Sequence, residues 1–236
     1  RYYKALNGNQ KCLLKKGLNI MKQLKPNKKT NQRVTVHITS KDRHSEVALA
    51  IQSLRTQTVQ EWDLILLDDA SGTPITSCHF LMSLINRIKI ENHKVKMLRN
   101  DISNGVCGAR NKLIEEDINW NVNNAYVLRC DDDVILEPDY IEKLLEVISS
   151  GYDIATGTVP LISTPEIKRD IKFVEKVICL HEFDDQGNLK TRNDDLGFCY
   201  MQSKIMKCDQ FRTNALYKSE VHQKVKYPLE LSHVSF

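Results

Sequence analysis

The chain of 236 residues is 41% hydrophobic and 27% charged, ordinary proportions for a globular protein with enough chain to bury one large core or two small ones. Its net charge of +4 is unevenly spread: residues 1–33 hold ten Lys/Arg and no acid, and the other 203 residues sum to −6, so the acidic body is poorly suited to nucleic acid. No apolar run approaches the roughly 18 residues that span a bilayer, no secretory signal is visible, and seven scattered cysteines without a C-x-x-C pair argue against a disulfide framework or a zinc site. The expected location is cytoplasmic, at most peripheral to a membrane.

In chain order, residues 12–24 place Leu14, Leu18, Met21 and Leu24 on one helical face, with Lys15, Lys16 and Lys22 off it. Two readings stay open, a helix lying on an anionic membrane surface and a linker helix packed on a neighbouring upstream domain. Gly17 and Asn19 weaken the helix and favour the linker. Pro26 to Gln32 reads as a polar, basic linker.

Val34 to Thr39 is a β-branched strand, and Ser45 to Thr56 a helix with Ser45 as its cap and Val47, Ala48, Ile51 and Leu54 inward. Trp62 to Leu67 reads as a buried strand ending in Asp68-Asp69-Ala70-Ser71-Gly72. A helix over Phe80 to Ile90, a short strand over Lys94 to Leu98, and a loop and helix over Asn104 to Glu116 follow. Tyr126-Val127-Leu128 then leads into Asp131-Asp132-Asp133, and Pro138 opens a helix over Asp139 to Ser149. Strand and helix alternate with short links, which predicts right-handed βαβ crossovers and a mostly parallel sheet. Ligands of such sheets sit beyond the carboxyl ends of the strands, where Thr39, Asp68-Asp69 and the Asp131 triplet all fall.

Three adjacent carboxylates repel one another and desolvate badly unless a cation or a ligand's donors balance them. Read alone, the triplet is either a seat for a hard cation completed by substrate phosphates or a solvated acidic turn capping the next helix. Beyond Ala155 the pattern loosens. Ile154 to Val159 reads as one more strand, Lys168 to Leu180 as a strand or a helix, Glu182 to Asp195 as a polar loop with a turn at Asp185-Gln186-Gly187-Asn188. Phe198 to Met201 and Asn214 to Tyr217 read as starts of elements.

Taken in order, five segments resemble the family 2 glycosyltransferases of the GT-A fold over residues 33–236. These are Val34 to Arg43, Ala50 to Thr58 with its Gln57-Thr58 ending, and Leu66-Leu67-Asp68-Asp69-Ala70-Ser71. Asn104-Gly105 with Ala109-Arg110-Asn111 comes next, and Asp131-Asp132-Asp133 takes the place of the Asp-x-Asp metal motif with Pro138-Asp139 behind it. The resemblance implies a Rossmann-like, mostly parallel α/β sheet flanked by helices. A basic helix and linker would occupy 1–32, a nucleotide-sugar-binding part 33–160, and a looser, incomplete acceptor-side part 161–236.

The resemblance also implies roles. Asp68 or Asp69 would bond the base or ribose of a nucleotide-sugar, with a UDP-sugar expected. Thr39 and Lys41 would line the base, although the usual Pro-Thr-Tyr-Asn is absent. Arg110 would reach the nucleotide or pair with the aspartates. Asp133, with Asp131 directly or through water, would hold Mn²⁺ or Mg²⁺, and Asp132 would contact the ribose. Inverting transfer to a glycan, lipid-linked or protein acceptor is implied. The family's catalytic base follows a segment like Tyr227-Pro228-Leu229, so the base is expected beyond Phe236, with Glu230 and Asp194-Asp195 as fallbacks, in a chain expected to continue past both ends. Cys208-Asp209 with Arg212-Thr213-Asn214 resembles the acceptor-side segment.

Two alternatives come from elsewhere. A sugar-1-phosphate nucleotidyltransferase would want a Gly-rich loop after the first strand, and Thr39 to Arg43 has no Gly. A sugar-nucleotide-binding module without turnover needs only the binding residues. Dinucleotide-binding G-x-G-x-x-G and phosphate-loop motifs are absent.

Overall fold

The computed structural model describes residues 32–120, 123–157, 181–183, 189–191, 214–224 and 226–229. The expected N-terminal helix, Lys168 to Leu180, the turn at Asp185 to Asn188, Phe198 to Met201, Asp194-Asp195, Cys208-Asp209 and Glu230 lie outside these residues.

The elements in order are β1 (Val34–Ser40), α1 (His44–Arg55), β2 (Trp62–Asp69), a 3₁₀ turn (Ile75–Ser77), α2 (His79–Ile90) and β3 (Val95–Asn100). Then come α3 (Gly105–Trp120), β4 (Tyr126–Cys130), α4 (Tyr140–Ser149), β5 (Ile154–Thr156), β6 (His181–Phe183), β7 (Leu189–Thr191), β8 (Ala215–Lys218) and α5 (Ser219–His222). Six strands make one sheet in the order β3-β2-β1-β4-β8-β5. β1 to β4 are parallel, and β8 runs antiparallel between β4 and β5. The mostly parallel architecture read from the alternation is the one observed.

Residues of β1 and β2 alternate between the two faces of the sheet, as the period of two requires. Val34, Val36, Ile38, Leu64 and Leu66 pack with α1, α2 and α4. Ile65 and Leu67 turn to the opposite face, against Ala109 and Leu113 of α3. All eight residues of β2 are buried, since helices cover both faces. The alternate residues of β1 are polar: Thr35 meets the Asn124 amide at 3.0 Å, and the His37 ring stands 3.8 Å from Asp117 of α3.

Four sequence readings are corrected. Ser45 is not a cap: α1 begins at His44 behind Arg43, and the Ser45 hydroxyl donates to Glu46 at 2.7 Å. α3 runs past Glu116 to Trp120 because Asp117 and Trp120 both find partners under the sheet. β2 continues through Asp69, paired with β3 to its last residue. Within the stretch read as a loop, His181 to Phe183 and Leu189 to Thr191 pair antiparallel, a contact made by backbone that side-chain polarity does not report.

At the amino end of the sheet, Asp63 is buried and accepts from Arg33 Nη2 at 2.7 Å, Arg33 Nε at 3.2 Å, the Lys94 amide at 2.9 Å and Asn124 at 3.1 Å. Burial pushes its pKa up, but these donors, Arg33 foremost, hold it below the ordinary range. Replacing Asp63 by Ala should therefore cost about 3 kcal/mol, read by denaturant unfolding; a loss under about 0.5 kcal/mol would show that the cluster is not a support.

His222 is buried edge-on to the His37 ring at 5.4 Å and beside Tyr217 at 4.9 Å. Burial lowers its pKa to about 3, reinforced by His37 and Arg129 and opposed by Asp117. Below the ordinary value of about 6.5 the unfolded chain gains a proton there that the folded chain refuses, so stability falls as pH drops through that value. The melting temperature should fall between pH 7.5 and 5.5, and His222→Asn should flatten that slope; an unchanged slope refutes the assignment.

Candidate active site

Parallel register brings the strand exits to one rim. Ser40 lies beside Asp68, Asp69 beside Asn100, and Ile38 beside Cys130, so Asp131 leaves the sheet next to the exit of β1. Strand order reverses here, since β1 is flanked by β2 on one side and β4 on the other, which is where open α/β sheets bind ligands.

The first two exits are stitched together. Asp42, at φ +57°, receives the Gly72 amide on Oδ1 at 2.7 Å, and its own amide donates to Ser71 Oγ at 2.9 Å. Thr39, near the end of β1, is half-buried, and Lys41, on the loop that follows, is exposed. Asp68 points inward and accepts from the Ser71 amide at 2.9 Å, the Ile75 amide at 3.0 Å and Arg99. Burial raises its pKa, yet the Ser71, Ile75 and Arg99 bonds leave it below the ordinary range. A cavity of about 110 Å³ opens beside it, lined by Leu66, Ile75, Met97 and Leu98 with Asp68, Thr76 and Arg99 as its polar residues. Asp69 organises the next loop, accepting from Asn100 at 2.6 Å, Ser103 at 2.7 Å and the Asn104 amide at 3.1 Å. Both acids expected at the base or ribose thus also hold their own loops.

The triplet is balanced by two arginines. Arg43 Nη1 donates to Asp132 Oδ1 at 3.2 Å and to Asp133 Oδ2 at 2.8 Å. Arg110 Nη2 donates to Asp131 Oδ1 at 3.2 Å, while its guanidinium carbon lies 5.5 Å from the centroid of the Tyr227 ring. Asp132 is buried and Asp133 about half exposed. Burial raises the Asp132 pKa, and the Asp133 charge adds to this against Ser40 and Arg43. Of the two roles read for Arg110, the structure displays the ion pair.

Residues quoted from the sequence without a part in this rim support it. Asn214, fully buried at φ +47°, accepts the Asp131 amide on Oδ1 at 2.9 Å. Its carbonyl accepts from the Tyr140 hydroxyl at 2.6 Å and Thr156 Oγ1 at 3.2 Å. Gly157 leaves room for the Tyr140 ring, because a Cβ there would stand 2.6 Å from it. The signal available in sequence is small: Asn tolerates the left-handed region and stands directly before a strand. Gln57 donates to the Glu137 carbonyl at 2.7 Å and accepts the Ile141 amide at 3.0 Å, fixing the chain behind the triplet. Asn111 receives the Tyr227 amide at 2.7 Å and donates to the Tyr227 carbonyl at 2.8 Å, which docks the 226–229 segment on α3.

Among the described residues no three or more His, Cys, Asp or Glu side chains converge as a ready cation cage. The donors at the triplet are carboxylate oxygens alone, so its chemistry fits a hard divalent ion whose shell is completed by phosphate and water.

Asn214→Ala removes the acceptor for the Asp131 amide and strains the left-handed backbone, and should cost about 2 kcal/mol of unfolding free energy. Asn214→Gly should recover the backbone share of that loss but not the hydrogen bond. An alanine variant as stable as the parent would refute the role.

The pattern of the family described as glycosyl transferase family 2 matches residues 35–216. The bifunctional glycosyltransferase pgtA of Dictyostelium discoideum is 26% identical over 107 residues, 45% of this chain and 13% of that protein. S. aureus TarS is similar in fold, with a TM-score of 0.56 at 14% identity over 86% of this chain and 31% of TarS. A TarS 1–349 structure in complex with UDP gives 0.52 at 13% identity, over 86% of this chain and 52% of that one. The chain thus spans under two thirds of each of these proteins. Their likeness, with the parallel sheet and its acidic rim, is that of the GT-A fold, and the pattern matched across most of the sequence shows that the chain belongs to glycosyl transferase family 2.

Proposed function

We propose that the rim carries metal-dependent, inverting transfer of a sugar from a nucleotide-sugar, a UDP-sugar, to an acceptor hydroxyl. The observation that carries this reading is the convergence of the β1, β2 and β4 exits where strand order reverses, with the carboxylate triplet between Arg43 and Arg110. In it Asp68, with Arg99 and the adjoining cavity, takes the base, Thr39 and Lys41 at the exit of β1 line it, and Asp132 or Asp69 meets the ribose.

Asp133 and Asp131 would hold Mn²⁺ or Mg²⁺, which when bound supplies charge neutralisation for the departing diphosphate. The chain's own part is to fix the donor so that its anomeric carbon faces the acceptor. The acceptor oxygen then bonds to that carbon, the bond to the diphosphate breaks with its electron pair leaving on the nucleotide, and the hydroxyl proton passes to a carboxylate. One such displacement inverts the configuration. The base belongs, in this reading, to chain following the docked Tyr227 segment.

A second reading, a nucleotide-sugar-binding module without turnover, draws on one observation: Arg43 and Arg110 between them pair with all three carboxylates of the triplet. UDP-, GDP- and TDP-sugars offered to the full-length protein with Mn²⁺ or with EDTA separate the two. Nucleotide release from a UDP-sugar should require the metal, and Asp133→Ala should lower kcat/KM by roughly 100-fold or more. Thermal stabilisation by UDP and Mn²⁺ without turnover would favour the module, and neither effect would refute both.

A further inference from the structure

Arg43 is paired with Asp133, one of the two carboxylates that the metal reading gives to a divalent ion. Its Nη1 lies between Asp132 Oδ1 at 3.2 Å and Asp133 Oδ2 at 2.8 Å, bridging the two carboxylates. Its backbone cannot move far, because the Val47 amide bonds its carbonyl at 3.0 Å and the preceding Asp42 is tied to Ser71 and Gly72. The side chain is another matter: it is 51% exposed, and so is reached by solvent around its fork. Asp68, another buried acid of the rim, is held differently. Arg99 bonds both Asp68 and the Ser71 carbonyl at 2.8 Å, so it is anchored to backbone as well as to the acid.

We propose that Arg43 is a resident counter-ion that plugs the cation seat in the donor-free protein and is displaced when metal and donor arrive, its guanidinium then turning onto the diphosphate. The inference rests on the metal reading given above. Two crowded carboxylates, one of them buried, need a positive charge at all times. A single-charged fork in partial contact with water satisfies them when nothing else is present, and a divalent ion outcompetes it at Asp133. Once released, the planar fork presents paired N–H donors that match phosphate oxygens, and the short reach from α1 keeps it at the rim. The exchange makes metal and nucleotide binding mutually dependent: metal alone must expel a counter-ion, whereas metal arriving with a diphosphate gives that counter-ion a new partner.

The test is Mn²⁺ binding to the full-length protein, read by the electron paramagnetic resonance of free Mn²⁺, with and without UDP. Arg43→Gln should bind Mn²⁺ roughly tenfold tighter than the parent without nucleotide, and UDP should tighten its Mn²⁺ binding less than it does in the parent. Arg43→Lys, which keeps the charge, should stay near the parent. Asp133→Asn in either background should lose the ion. If Asp133→Asn loses the ion but Arg43→Gln binds it no tighter than the parent, the plug is refuted and the metal reading stands. If no variant takes up Mn²⁺ even with UDP, the metal reading fails and the plug with it.

Discussion

The crowding of negative charge at the carboxyl rim is the constraint to which the rest of the site answers. Five carboxylates, Asp68, Asp69, Asp131, Asp132 and Asp133, end two strands that flank the same central strand. Left alone they would push the strand exits apart. Instead each is answered by a specific donor: Arg99 and two amides for Asp68, three loop donors for Asp69, Arg110 for Asp131, and Arg43 shared by Asp132 and Asp133. The answers differ in permanence. Backbone amides and the anchored Arg99 are fixed, while the Arg43 side chain is half in water. Fixed donors shape the loops, and the looser one is free to change partners.

Position follows from the sheet beneath. Thr35, His37 and Thr39 of β1 would be costly on a uniformly apolar core, yet on a pleated strand they share one face. On that face Thr35 finds Asn124 and His37 lies near Asp117 and His222, while Val34, Val36 and Ile38 on the other face join the hydrophobic core. The α3 side is thus a polar layer running up to the site, and Arg129 of β4, level with His37, carries it toward Tyr227 at 3.3 Å from its hydroxyl. The triplet stands at the top of this layer. Its backbone is held by Asn214, which arrives from a strand on the other side of β4.

Much of this could be read before any coordinates. The alternation of apolar strands and helices identified β1 to β4, because parallel strands buried on both faces leave unbroken apolar runs such as Leu64 to Leu67. The acidic positions at strand ends were equally plain, since charge next to an apolar run is a local signal. Non-local partnerships were not. Gln57 and Thr58 matched a pattern in sequence, but only the structure shows the reason, a clamp on Glu137 and Pro138 about eighty residues away in the chain. Arg43 stood in a quoted segment with no role, since nothing in its neighbours reveals a partner at Asp133. The β6–β7 pair escaped because ladder bonds are made by backbone that every residue carries. Ser45 misled for the converse reason: a residue type favoured at caps sat one place inside the helix.

The insertion of β8 between β4 and β5 bears on how the protein is made. When the ribosome has delivered Thr156, the four parallel strands can already pair, but β4 is still an open edge and β5 has no neighbour in the sheet. Both must wait for residues some sixty positions later, and the Tyr227 segment that braces Arg110 comes later still. Long-range pairings of this kind form slowly and leave a bare strand available to other chains in the meantime. Nascent or truncated forms that end before Ala215 should therefore depend on chaperones, and the rim takes its final shape only once the Tyr227 segment has been made.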